Sequence, residues 1–320
     1  MALNNPNSGK KLLYVAYILT FFAIAFAALK LFVQATKENS ESSYKADMKE
    51  NFTNYLPVLP EQLDFCGERV PLECFDVRES LERELIKTMY WHSETFLYIK
   101  RANRYFPRMS QILKENNIPQ DFLYLCVAES GMDNVVSPAK AVGFWQLLEA
   151  TGKENGLEIN SEVDERYDYE KSTVAACRFL KQAYEKFGNW TMVAASYNCG
   201  QAGAQRLIRN QGENSYYDLR HNSETGRYVY RILAYKLLLS NPEEYGFRFR
   251  EKDLYPEIPT TTIAVDTAVT NLYDFAKQVT VNYKMLKLLN PWLRDTKLSN
   301  PNGKHYEITV LKEGAREKTY

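Results

Sequence analysis

The chain has 320 residues, room for about two domains with a sizeable core, and its 40 basic residues balance 40 acidic ones. A formal charge of zero excludes a global field that would draw the protein onto nucleic acid or an anionic surface, so no nucleic-acid partner is expected and recognition has to be local. The 23 Tyr, 16 Phe and four Trp suit stacking on flat ligands, but they read first as helix packing.

The first element in chain order follows Lys10-Lys11: residues 12–29 are uncharged and almost wholly apolar, ~27 Å as a helix, just enough to cross a bilayer core. Residues 1–35 are therefore expected to be a membrane anchor or a cleaved export signal. Ala25-Phe26-Ala27 offers a cleavage site, and the uncleaved anchor is the preferred reading. Lys10 and Lys11 should stay cytoplasmic, which puts the remainder outside. No Cys directly follows the apolar run, which argues against a lipoprotein. Residues 36–75 read as a polar tether and linker. Within it Cys66 and Cys74, with Gly67 and Pro71 between them, either pair in an oxidising compartment or stay free, while Cys126 and Cys177 lie on apolar helix faces as core residues.

From Asp76 onward helices dominate. Asp76 to about Lys100 is amphipathic through Leu81, Leu85, Met89 and Tyr90, and Tyr105-Phe106-Pro107 is expected to break it. Ile118-Pro119-Gln120-Asp121 opens a helix buried by Phe122, Leu125, Cys126 and Ala128. Further helices are predicted at about 172–186, 191–197 and 227–239, with turns at Gly188-Asn189 and Asn198 to Gly200. Alternation typical of strands is scarce before residue 255, so the fold class is mainly α. His92, His221 and His305 are isolated, and no metal-ligand spacing or phosphate loop occurs, so no metal or cofactor is expected.

Glu129-Ser130, Gly143-Phe144-Trp145-Gln146 and Ser196-Tyr197-Asn198-Cys199-Gly200 fall in that order within about 70 residues. Alone, each is an ordinary helix end or turn. Together, extended by Asp164-Glu165-Arg166-Tyr167-Asp168 and Glu224-Thr225-Gly226-Arg227-Tyr228-Val229, they resemble the soluble lytic transglycosylase family, peptidoglycan-cleaving relatives of goose-type lysozyme. The likeness covers roughly residues 86–240. It implies a lysozyme-like helical catalytic domain, here about 76–245. It also implies peptidoglycan glycan strands as substrate and a place in the bacterial cell envelope, with the N-terminal helix in the membrane and the catalytic domain facing the periplasm or cell wall.

Glu129 sits near the negative, carboxyl-terminal end of its helix after Leu125 and Cys126, where dipole and desolvation both disfavour a carboxylate and should raise its pKa. That is the state a general acid needs near neutral pH. The resemblance makes Glu129 acid first and base second, with the muramyl 6-hydroxyl attacking the anomeric carbon to leave a 1,6-anhydro end. It also implies substrate-lining or orienting roles for Ser130, Gly143, Gln146, Tyr197, Asn198 and Tyr228, with Phe144 and Trp145 packing beside them. From the residues alone, Ser130 reads equally as a helix cap and Tyr228 as a core tyrosine. Two departures stand out: Leu148-Glu149 where the family commonly has Met-Pro, and Cys199 where Ala is usual. Glu149 reads as a solvated charge.

After Pro256 and Pro259 the pattern changes to a strand at 261–265, helices at 272–278 and 283–289, and a strand at 306–310. Residues 258–312 resemble a small α+β LysM domain, a module that binds N-acetylglucosamine chains. Val269-Thr270 stands where that family commonly has Gly-Asp, which leaves its glycan binding open. Two competing functions remain: a muramidase that uses water, and a non-catalytic peptidoglycan-binding scaffold, which the intact Glu129 disfavours.

Overall fold

The computed structural model describes residues 17, 19, 20, 22, 26 and 55–318. The apolar run at 12–29 and the tether before residue 55 lie almost wholly outside the described residues. Tyr17, Leu19, Thr20, Phe22 and Phe26 are helical, and among the described residues no helix is long and apolar enough to cross a membrane.

A two-residue hairpin, β1 (Asp64–Phe65) and β2 (Glu68–Arg69), precedes helices α1 (Phe75–Tyr90), α2 (His92–Glu115) and α3 (Phe122–Ser130). The stretch 57–75 is not the expected linker. Leu59, Phe65, Val70 and Leu72 are buried in the helical core, and Phe65 meets Phe122 edge-on at 5.5 Å. A second correction concerns the helix break. Pro107 lies inside α2, and the chain bends instead at Trp91, whose φ/ψ of −87°/56° leaves the helical region. The Pro107 ring is accommodated within one long helix whose inner face carries Tyr98, Ile99, Met109 and Leu113.

The rest of the helical part comprises α4 (Glu149–Glu154), α5 (Tyr169–Phe187), α6 (Trp190–Cys199), α7 (Gln201–Gln211) and α8 (Thr225–Ser240). The α5 and α6 starts have local causes: the Asp168 side chain accepts from the Glu170 and Lys171 amides, and Asn189 accepts from Met192. α7, not expected from the sequence, begins directly after Gly200, at φ 76°, and presents mostly polar residues. Helix α3 is apolar on nearly every side, so it is stable only with protein all around it, and Phe122, Leu125 and Cys126 are fully buried. α8 packs against α1, α3 and α6, with Tyr228, Val229, Ile232, Leu233 and Leu238 inside.

Beyond residue 259 the order is β3 (Thr260–Val265), α9 (Leu272–Gln278), α10 (Tyr283–Leu289), β4 (Tyr306–Leu311) and α11 (Ala315–Lys318), the expected strand-helix-helix-strand arrangement with one further turn of helix. β3 and β4 pair antiparallel, Thr260 opposite Leu311 and Val265 opposite Tyr306. This module has its own core of Val265, Leu272, Leu286, Trp292, Ile308 and Val310, joined by Val163 from the helical part. The loop carrying Val163 is docked by backbone bonds: Asp164 N–H donates to Trp292 O at 2.9 Å and Arg294 N–H to Glu162 O at 2.7 Å. Lys304 and the Tyr306 hydroxyl reach Glu158 at 2.5 and 3.0 Å beside them.

Candidate active site

Glu129 lies on the last turn of α3, held by its cap. Gly131 terminates the helix in the left-handed conformation at φ 60°, where a Cβ would collide with the Tyr98 ring, so no other residue makes this turn here. Arg101 on α2 clamps the turn, donating to Gly131 O at 3.1 Å and pairing with Asp133 at 2.7 Å. Sequence reasoning missed Arg101, since a basic residue on a charged helix face carries no local signal of a partner thirty residues away.

The Glu129 carboxyl accepts a hydrogen bond from the Tyr228 hydroxyl on α8. Burial pushes its pKa up to about 7, against the lowering pull of that hydroxyl and, more weakly, of Arg231. Glu224 pushes in the upward direction, but it is exposed and paired with Arg231 at 3.1 Å. Tyr197 and Tyr228 are themselves pushed well above the ordinary tyrosine value by burial and by the Glu129 charge, so both remain neutral donors.

The remaining expected residues form a supporting frame. Ser130 Oγ donates to Phe144 O at 2.7 Å and accepts from Met132 N–H at 3.0 Å, tying the helix end to the Gly143–Gln146 turn. Tyr197 OH donates to Trp145 O at 2.6 Å. Gly143, at φ 81°, leaves room for the Arg166 carbonyl oxygen, which a Cβ would strike; its close approach is to protein backbone. Gln146 is itself left-handed at φ 47°, and its amide nitrogen donates to Gly143 O at 2.8 Å and Val135 O at 3.0 Å. Asn198 Oδ1 accepts from Thr225 Oγ1 at 2.8 Å. Phe144 packs edge-on against Tyr105, and the buried Trp145 donates its indole N–H to Thr173. Arg166 belongs to the Asp164–Asp168 motif. Its guanidinium is buried against Asp164 at 2.7 Å and donates to Leu147 O, fixing the outer wall of the same turn.

Two further carboxylates can be assigned. Glu149 is exposed and paired with Lys153 at 2.6 Å, as expected. Asp168 is raised by burial and spends its side chain as the cap of α5. The cysteines are free thiols, Cys126 and Cys177 buried and Cys74 exposed. Among the described residues no group of His, Cys, Asp or Glu could hold a metal ion.

Residues 109–219, which contain Glu129, the Gly143–Gln146 turn and the Tyr197-Asn198 pair, match the transglycosylase SLT domain, and residues 261–314 match the soluble lytic transglycosylase C-terminal LysM-like domain. The helical part carries an SLT domain. The chain is homologous to the membrane-bound lytic murein transglycosylase D proteins of Escherichia coli K12 and of Escherichia coli O6:H1. It is 27% identical to each over 242 residues, covering 74% of this chain and 52% of theirs. It thus spans about half the length of these relatives. Two solved lytic transglycosylases also align with it. One, from Pseudomonas aeruginosa, is 17% identical at a TM-score of 0.35 over 48% of this chain and 26% of its own. The other, the 70 kDa soluble enzyme of Escherichia coli, is 22% identical at 0.37 over 45% and 27%. The SLT domain and the LysM-like module meet at the docked loop 158–166.

Proposed function

We propose that the chain is a peptidoglycan lytic transglycosylase, cleaving the β-1,4 bond between N-acetylmuramic acid and N-acetylglucosamine and leaving 1,6-anhydro-N-acetylmuramic acid ends. The observation that carries this reading is the environment of Glu129: a carboxyl raised to about 7 by burial, hydrogen-bonded by the neutral Tyr228 hydroxyl. Such a group holds its proton near neutral pH and gives it to the glycosidic oxygen, then, ionised, takes a proton from the muramyl 6-hydroxyl as that oxygen closes on the anomeric carbon. A hydrolase of the inverting or double-displacement type needs a second free carboxylate opposite the acid. Glu224 is paired with Arg231, Glu149 with Lys153, and Asp168 caps a helix, so an intramolecular hydroxyl is the fitting nucleophile.

Ser130, Gly143, Gln146, Tyr197 and Asn198 shape the cleft wall in this reading, with Tyr228 setting the acid. The catalytic domain is taken as 76–245 and the LysM-like module as 258–312. The uncharged run at 12–29 supports an envelope location with a membrane anchor, a proposal that N-terminal sequencing of the mature protein tests: a start near Ala28 would mean cleavage. The reaction itself is tested by mass spectrometry of digested peptidoglycan. Anhydro ends support the transglycosylase, reducing ends the water-using muramidase, and undigested strands retained by the protein the binding scaffold.

A further inference from the structure

Glu129, Asn198 and Tyr228 come together from three helices, α3, α6 and α8: the Tyr228 hydroxyl donates to Glu129, and Asn198 accepts from Thr225 on α8. Each helix is held at a second level eight residues away, about 12 Å along its axis, at Asp121, Trp190 and Lys236 respectively. The hairpin β1–β2 touches all three. Cys66 N–H donates to Asp121 Oδ2 at 2.6 Å, and Lys236 donates to Asp64 O at 2.8 Å and to Asp64 Oδ1 at 3.1 Å. The Glu68 carboxylate accepts from the Trp190 and Thr191 amides and from the Thr191 hydroxyl, which caps α6. Both the hairpin and Lys236 lie outside residues 109–219, the extent of the SLT match.

The hairpin is shaped for this contact. Its register leaves a two-residue loop, which needs φ above zero at both positions, and Cys66 at 56° takes that conformation beside Gly67 at 79°. Phe65 is fully buried edge-on to Phe122 at 5.5 Å, and Phe122 is edge-on to Trp190 at 5.4 Å, so one aromatic row crosses the starts of α3 and α6. Lys236 closes the arrangement by also donating to Asp121 Oδ2 at 2.8 Å. Burial lowers its pKa, but Asp121 and Asp64 outweigh that and keep it charged. α3 and α8 run antiparallel and are thus joined by two polar rungs, Asp121–Lys236 at one end and Glu129–Tyr228 at the other. Between the rungs α3 offers mainly apolar side chains, whose attraction is non-directional and does not fix how far one helix slides along the other. The other polar contact between them among the described residues, Tyr124 OH with Ser240 Oγ at 2.9 Å, is exposed. A slide of one residue, about 1.5 Å, takes the Tyr228 hydroxyl out of hydrogen-bond range of Glu129.

We infer that the hairpin 64–69 is a clasp that sets the register of α6 and α8 against α3, which makes Lys236 and Glu68 positioning residues for the proposed reaction and carries the catalytic unit back to the hairpin. The inference rests on the proposed glycan cleavage for what the positioned carboxyl does, not for how it is positioned.

The test uses Lys236→Met and Glu68→Ala in the full chain, with folding checked by circular dichroism. Both variants should weaken the Tyr228 contact, so the alkaline limb of kcat/KM should move up in each by as much as about one unit, the shift expected of Tyr228→Phe itself. The two changes remove opposite charges. An effect of charge through space would therefore move the limb up in Lys236→Met and down in Glu68→Ala, whereas a loosened clasp moves both up. Adding Tyr228→Phe to either variant should shift the limb by less than about 0.3 unit more, because the contact it deletes is already lost. Three results overturn the assignment and leave the hairpin a merely stabilising element: limbs unmoved in both folded variants, shifts of opposite sign, or the full Tyr228→Phe shift on top of either variant. Glu68→Ala removes a partly exposed cap and decides the matter alone should Lys236→Met, which leaves two carboxylates unpaired, fail to fold. Titration of the Glu129 carboxyl by carbon-detected NMR reads the same midpoint without turnover. If no glycan is cleaved, the glycan-cleaving reading fails while this titration still decides the clasp, and a midpoint unchanged by Glu68→Ala sinks it.

Discussion

Arg227 and Tyr228 are neighbours on one helix, and each donates to a glutamate on a different helix, one buried and one half-buried, with opposite results. Glu84 on α1 is 2% exposed; burial pushes it up, but Arg227 at 2.7 Å and Arg83 at 3.1 Å outweigh that and hold it below the ordinary value. Glu129 on α3 receives a phenol in place of a guanidinium and stays up at about 7. Both carboxyls have a hydrogen bond, so the hydrogen bond alone is not what separates them. The partner's charge is. A formal charge makes Glu84 a permanent anion that ties α1 to α8, whereas a dipole leaves Glu129 able to exchange its proton.

The contrast is broken most severely by Glu129→Gln, which keeps the shape and removes the proton. Release of anhydro-muropeptides should fall by roughly 10²–10⁴, and retention of activity in a folded variant would refute the assignment. Relative to the wild type, the same variant should gain stability as pH rises. The native carboxyl keeps its proton up to about 7 while the unfolded one releases it near 4.5, so the wild type loses stability as pH rises through that window and the glutamine does not. Melting temperatures should coincide below the window and favour the variant above it.

Next in size, Arg227→Ala strips Glu84 of its main partner and should cost about 3 kcal/mol in urea unfolding, the range for breaking a buried pair, while the folded fraction keeps its turnover. Tyr228→Phe should raise the Glu129 pKa by about one unit, because a hydrogen bond to the ionised form is lost. The alkaline limb of kcat/KM, set by loss of the acid's proton near 7, should move up accordingly, so the variant keeps a larger share of its maximal rate above neutral pH than the wild type does. The smallest effect is expected where the charged pair is wet: Lys304 is 46% exposed in its pair with Glu158, and Lys304→Ala should change stability by less than about 1 kcal/mol.

The pairing of Glu129 with Tyr228 was legible because the motifs preserve their order, and the terminal module because its period changes from helical to alternating after Pro256. What escaped were features fixed by distant partners. Pro107 looked like a break, yet a long helix with a buried inner face tolerates one missing donor. Residues 57–75 looked like linker because Pro57, Pro60, Gly67 and Pro71 interrupt any helical or alternating period, and they fold against α3, α6 and α8 through Phe65, Cys66 N–H to Asp121, the Trp190 and Thr191 amides to Glu68, and Lys236 to Asp64. The short, polar α7 escaped because only Ala204, Leu207 and Ile208 mark its inner face. The backbone that crowds Gly143 is the Arg166 carbonyl, twenty-three residues on, which no local pattern announces.

Val163 sits in the core of the LysM-like module while Arg166, three residues on, braces the Gly143–Gln146 turn through Leu147. The loop between them therefore has two owners, and the module is no bead on a string. Heating should melt both parts in a single calorimetric peak, because removing either leaves the loop with an uncovered valine and unpaired amides. In evolutionary terms, exchanging this module for another would require the catalytic side to change its own loop as well.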